Sequence, residues 1–118
     1  MRNFRSGISG NGLQSRSRQE AIAAGLNATI YSHAIGFQGH GAGPWIGMWD
    51  DQLAKPSIGE YPVMPNTAWS VELNVQLAVP EWGGKVVQFK SEEDAYLDGM
   101  EIRFLDGRQE QLHLIPRQ

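Results

Sequence analysis

Ala68-Trp69-Ser70-Val71-Glu72-Leu73-Asn74-Val75-Gln76-Leu77-Ala78-Val79 decides the fold. Trp69, Val71, Leu73, Val75 and Leu77 alternate with Ser70, Glu72, Asn74 and Gln76, the period of two that marks a strand with one apolar and one polar face. Pro80-Glu81-Trp82-Gly83-Gly84 closes it with a turn, and Lys85 to Leu97 resumes extended structure. Asp98-Gly99 and Asp106-Gly107 then punctuate a run from Met100 to Leu105 and a last run near Gln111 to Ile115. Consecutive strands separated by tight turns predict an antiparallel meander.

Upstream, Leu13 to Ala24 is built mostly of good or neutral helix formers, and Gly25 with Asn27 supplies the stop. Its apolar stripe is short (Leu13, Ala21, Ile22, Ala24, Leu26), so the helix is expected to lie across a larger surface. Ala28-Thr29-Ile30-Tyr31 reads as a short strand delivering His33 to a loop. Residues 1–10 are polar and glycine-rich and read as a mobile start. Pro56, Pro62, Pro65 and Gly59 exclude a helix or central strand between Asp51 and Asn66. Helix first and hairpins after predict an α+β domain, an antiparallel sheet with the N-terminal helix on one face. At 118 residues the chain reads as a single domain, 1–118, large enough to bury about two-thirds of its unfolded surface.

A net charge of −3 gives no electrostatic footprint for nucleic acid or an anionic membrane. The absence of cysteine excludes disulfides, thiolate catalysis and Cys-based metal sites, so any metal must be held by His, Asp and Glu. No apolar run is long enough to span a bilayer, and Met1 to Gly7 lacks the apolar core of a secretory signal, which leaves a cytoplasmic location as the expectation.

The stretch Ser32 to Asp51 gathers Gly36, Gly39, Gly41, Gly43 and Gly47 with His33, His40, Trp45 and Trp49. Such glycines serve tight turns or backbone that passes close to another group. An irregular surface loop with incidental histidines is the plain alternative. Glu93 falls on the apolar face of its strand with Val87, Phe89, Ala95 and Leu97, where a carboxylate calls for a cation, a paired Arg or a raised pKa. Glu72 falls on the polar face of the preceding strand, 10 residues before the middle of the turn as Glu93 is 11 after it. The two are candidate cross-strand neighbours, provided a bulge or register shift brings them to one side. With His33 and His40 they form an oxygen and nitrogen set suited to manganese, cobalt, iron or zinc. Two carboxylates capable of bridging suggest two ions, which together activate water and polarise a carbonyl, as amide hydrolysis requires.

Other candidates are weaker. Gly39 to Gly43 lacks the strand and helix of a phosphate-binding loop, and no serine is spaced for a His-carboxylate partnership. Trp69 reads as core, Trp45 and Trp49 as core or cleft, His113 as a surface residue, and Arg108 as an ion-pair partner.

His33-Ala34-Ile35-Gly36, with His40 seven residues after His33 and Pro44 soon after, resembles the His-Gly-Ile-Gly loop of the pita-bread metallopeptidases. That superfamily includes methionine aminopeptidase, aminopeptidase P, prolidase and creatinase. Val71-Glu72-Leu73 and Glu93-Asp94-Ala95 follow in the family's order, with Leu73 and Ala95 departing from its usual proline and threonine. The resemblance implies that His33, Glu72 and Glu93 are metal ligands, that His40 binds substrate or shuttles a proton, and that two divalent ions complete the site. The short Glu72 to Glu93 separation is most similar to the Xaa-Pro peptidase branch, which implies peptide substrates. The family's two ligand aspartates precede the helix, and no aspartate does so here; Asp50 and Asp51 stand in the wrong place in the order. The chain therefore resembles the C-terminal half of that fold, with three of five ligands, and is expected to be inactive alone. A missing N-terminal half or a homodimer would complete it, and a non-catalytic binding module of the same fold is the alternative.

Overall fold

The computed structural model describes residues 1–117. One helix, α1 (Gly10–Ala23), precedes four strands, β1 (Ala28–Ala34), β2 (Thr67–Val79), β3 (Lys85–Asp98) and β4 (Glu101–Phe104). The strands form one antiparallel sheet in the order β1-β2-β3-β4. This is the α+β class and the meander that the alternation predicts. The bounds of β2 and β3 fall within one residue of those read from the sequence, because period-two patterning and the Gly83-Gly84 turn act on the same segment.

Helix α1 starts three residues earlier than its apolar pattern suggests, since the Ser9 hydroxyl accepts the Gly12 N–H at 3.1 Å and caps the first turn. It ends where expected: Gly25, at φ 75°, adopts the left-handed conformation that terminates helices, and its N–H returns to the Ile22 carbonyl.

Residues 1–10, read as a mobile start, are packed on the sheet: Phe4 is 8% exposed and sets its ring edge-on to Trp69 at 5.0 Å, while Gly7 N donates to Val63 O and Val63 N to Ile8 O, and two other expectations are corrected. Polar composition concealed one well-placed aromatic anchor. Strand β1 continues through Ala34, so His33 sits on the strand, opposite Ser70, and not on the loop. The run from Gln111 to Ile115 forms no strand.

In an antiparallel ladder, directly paired residues share a face. Register therefore sorts the sheet into two surfaces. Ile30, Ala34, Trp69, Val71, Ala95, Leu97 and Ile102 line one, and α1 with the N-terminal segment packs there to close a core of Phe4, Leu13, Ala34, Ile46, Val63, Trp69 and Leu97. Tyr31, His33, Ser70, Glu72, Asn74, Lys90, Glu92 and Asp94 line the other. Among the described residues, no helix is long and apolar enough to cross a membrane.

Candidate functional site

The polar face becomes a cleft because the loop after β1 folds back over it. Gly41 N donates to Ala34 O at 2.7 Å and Gly39 N to Gly36 O at 3.1 Å, closing a compact reversal. The reversal needs glycine at both contact points: a Cβ on Gly36 would lie 2.7 Å from the Gly41 Cα, and one on Gly41 would lie 2.8 Å from the Ile35 carbonyl oxygen. Through this fold the His40 ring stacks on His33, with centroids 3.9 Å apart and planes 15° from parallel. Farther along, Gln52 holds the loop to β1 as a surrogate strand: its Nε2 donates to Ile30 O at 2.9 Å and its Oε1 accepts Ile30 N at 3.0 Å. Gln14 of α1 donates in turn to Gln52 O at 3.1 Å.

The cleft, of about 410 Å³, is lined by Tyr31, His33, Ile35, Gly39, His40, Ser70, Glu72, Glu92 and Asp94. His33 is its innermost polar ring, 8% exposed, and its Nδ1 lies 3.0 Å from Ala34 O. A carbonyl only accepts, so Nδ1 carries the proton and Nε2 of the neutral ring presents a lone pair. That lone pair faces Glu72 Oε1 at 3.1 Å. Two acceptors at hydrogen-bond distance share a proton or a cation. Burial first, and the facing Glu92 carboxylate second, push the Glu72 carboxyl above the usual carboxylate range, against an opposing pull from His33. Tyr31 is also pushed up, by burial and then by Glu72, and its hydroxyl lies 3.3 Å from His40 Nε2. Glu92 stands directly across the ladder from Glu72, and its Oε1 accepts the Ser70 hydroxyl at 2.8 Å.

Of the residues singled out in the sequence, His33, His40 and Glu72 are brought together and Glu93 is not. Glu93 pairs with Val71 on the opposite face of the sheet, where its Oε1 accepts Gln109 N at 3.3 Å and its buried Oε2 has no partner. The ladder runs from Thr67–Leu97 to Val79–Lys85 without the bulge or slip that would carry Glu93 across. Glu92 occupies the place expected of it. The signal was present in the sequence: Glu92 has the same parity as Gln88, Lys90 and Asp94 on β3, and those pair with the polar residues of β2. Tyr31 and Ser70 were missed as site residues for want of this register.

The donor chemistry fits a divalent ion: an imidazole nitrogen with its other N–H fixed by a backbone carbonyl, beside two carboxylates. The donor number falls short, as no three His, Asp or Glu side chains among the described residues are grouped closely enough to hold an ion by themselves. No family model matches this sequence, no curated protein matches it, and no solved structure matches its fold.

Proposed function

We propose that the cleft is part of a divalent-metal site for hydrolysis of peptides, of the Xaa-Pro aminopeptidase or dipeptidase kind, in a chain that resembles the C-terminal half of a pita-bread metallopeptidase. The observation that carries the reading is His33 Nε2 lying 3.1 Å from Glu72 Oε1, with Glu92 opposite Glu72 on the same face. Two carboxylates beside an imidazole nitrogen form a set that a proton or a cation can bridge. His33 and Glu72 already stand 3.1 Å apart as two proposed ligands, and Glu92, across the ladder from Glu72, is the proposed third once its carboxylate leaves the Ser70 hydroxyl, in the role that the resemblance implies for Glu93.

Metal in such a site polarises a carbonyl and lowers the pKa of bound water. The chain's own side chains do the rest. Ala34 O fixes the His33 tautomer, and His40, steadied by the His33 ring and by Tyr31, stands at the mouth of the cleft to bind a peptide carbonyl or move a proton. Manganese, cobalt, iron and zinc suit the donors, and a dinuclear site needs further carboxylates from a second segment or a second copy. The cytoplasm is the compartment this reading carries over from the sequence. The short donor count favours a second reading, in which the chain is a non-catalytic relative that binds peptide through the same cleft.

Equilibrium dialysis against Mn²⁺, followed by hydrolysis of Xaa-Pro peptides in manganese, tests both. Metal retained by the wild type and lost in His33→Ala, with turnover once an N-terminal half carrying the two aspartates is supplied, is the expected result for the enzyme. Metal without turnover even then selects the binding module, and neither metal nor turnover overturns the proposal.

A further inference from the structure

Strand β3 has a bare edge. Its inner side pairs with β2 from Lys85 to Leu97, whereas β4 covers its outer side only over Ala95–Asp98, extended by one bond from Leu105 N to Asp94 O. From Lys85 to Glu93 the outer backbone groups of β3 have no strand partner among the described residues. Such an edge is a template for another strand. The apolar face beside it is also uncovered, with Phe89 at 49% and Leu73 and Leu77 each at 37% exposure.

The segment Gln111 to Ile115 has the matching properties. It leaves β4 in the antiparallel direction, and Gln109 N reaches back to Glu93 on β3. Lys90 to Glu93 and Gln109 to Leu112 already face each other across a cleft of about 450 Å³. Leu112, Leu114 and Ile115 are 86%, 88% and 91% exposed, which is unfavourable for three large apolar side chains in one short segment. The Leu112-His113-Leu114 alternation is that of a strand with one apolar face. Asp106-Gly107, with Gly107 at φ 78°, supplies the bend by which the chain departs from the β4 ladder.

We propose that Gln111–Ile115 is a strap that closes on the outer edge of β3 as a fifth antiparallel strand, with Leu112 and Leu114 on the apolar face beside Phe89 and Val87. The same alternation sets His113 on the polar face, beside Gln88. Closure and the open form differ in which backbone groups of β3 are protected, independently of any metal or peptide.

Amide hydrogen exchange of the full chain tests this. Outer-edge amides between Val86 and Ser91 are expected to exchange at least tenfold more slowly in the wild type than in a chain ending at Gln109. His113→Pro, which removes a ladder donor without touching the leucines, should give the same loss of protection. Both variants alter only the exposed segment and leave the core of Phe4, Trp69 and Leu97 intact as a folding control. Equal exchange in all three proteins overturns the proposal. So does protection that rises with protein concentration, which would make a second copy the occupant.

Discussion

Trp69 and Ser70 are neighbours in β2, and they belong to different regimes. Trp69, 1% exposed, is locked against Phe4 under the N-terminal segment, and every large side chain around it is apolar. Ser70 opens onto a cleft in which Glu72 and Glu92 face each other and His33 Nε2 lies 3.1 Å from Glu72 Oε1. Around Trp69 the sheet is packed and closed; around Ser70 it brings two carboxylates face to face. Stability of the fold comes from the first, and the second spends part of it on holding like charges close at a place where a ligand can resolve them.

Substitutions on the two faces should therefore differ in kind. Trp69→Ala removes the largest core side chain and is expected to cost about 3–5 kcal/mol, read as a loss of unfolding midpoint in urea. Gly41→Ala forces a methyl into the Ile35 carbonyl and should cost about 1–3 kcal/mol. It should also unstack His40 from His33, seen as a changed ring-current shift of the imidazole protons. Ser9→Ala, which strips the cap from α1, is expected to cost about 1 kcal/mol by the same urea assay.

Glu72→Gln should act in the opposite direction. The folded chain holds the Glu72 proton at pH values where the unfolded chain has lost it, so stability falls as pH rises from the ordinary carboxylate range through the raised value. Replacing the carboxyl removes that slope. The variant should melt higher than the wild type above this window and nearly level with it below, by thermal unfolding at a series of pH values. A substitution on the polar face that weakens metal binding while raising the melting temperature would sharpen the contrast between the two faces; a lower melting temperature at every pH would blur it.

The sheet was legible in the sequence because Trp69 to Leu77 and the Pro80 to Gly84 turn signal the same hairpin by independent means, side-chain parity and backbone conformation. The site was only half legible. His33, His40 and Glu72 could be picked by residue type, but choosing between Glu92 and Glu93 requires the register to a single residue, since one step exchanges the faces. A carboxylate on an apolar face looked like the residue in need of a metal, whereas Glu93 has instead the Gln109 N–H on its Oε1. Phe4 and Gln52 escaped notice because each acts alone, one as an anchor and one as a side-chain strand, and neither belongs to a periodic pattern.

Glu72 and Glu92, and not Glu93, share the face that carries His33, and the proposed ion would draw its ligands from that face. Mn²⁺ affinity of the wild type, Glu92→Gln and Glu93→Gln, measured by calorimetric titration on equally folded proteins, tests it most directly. Glu92→Gln is expected to weaken binding at least tenfold and Glu93→Gln to leave it unchanged. Binding that survives Glu92→Gln and is lost in Glu93→Gln would contradict it.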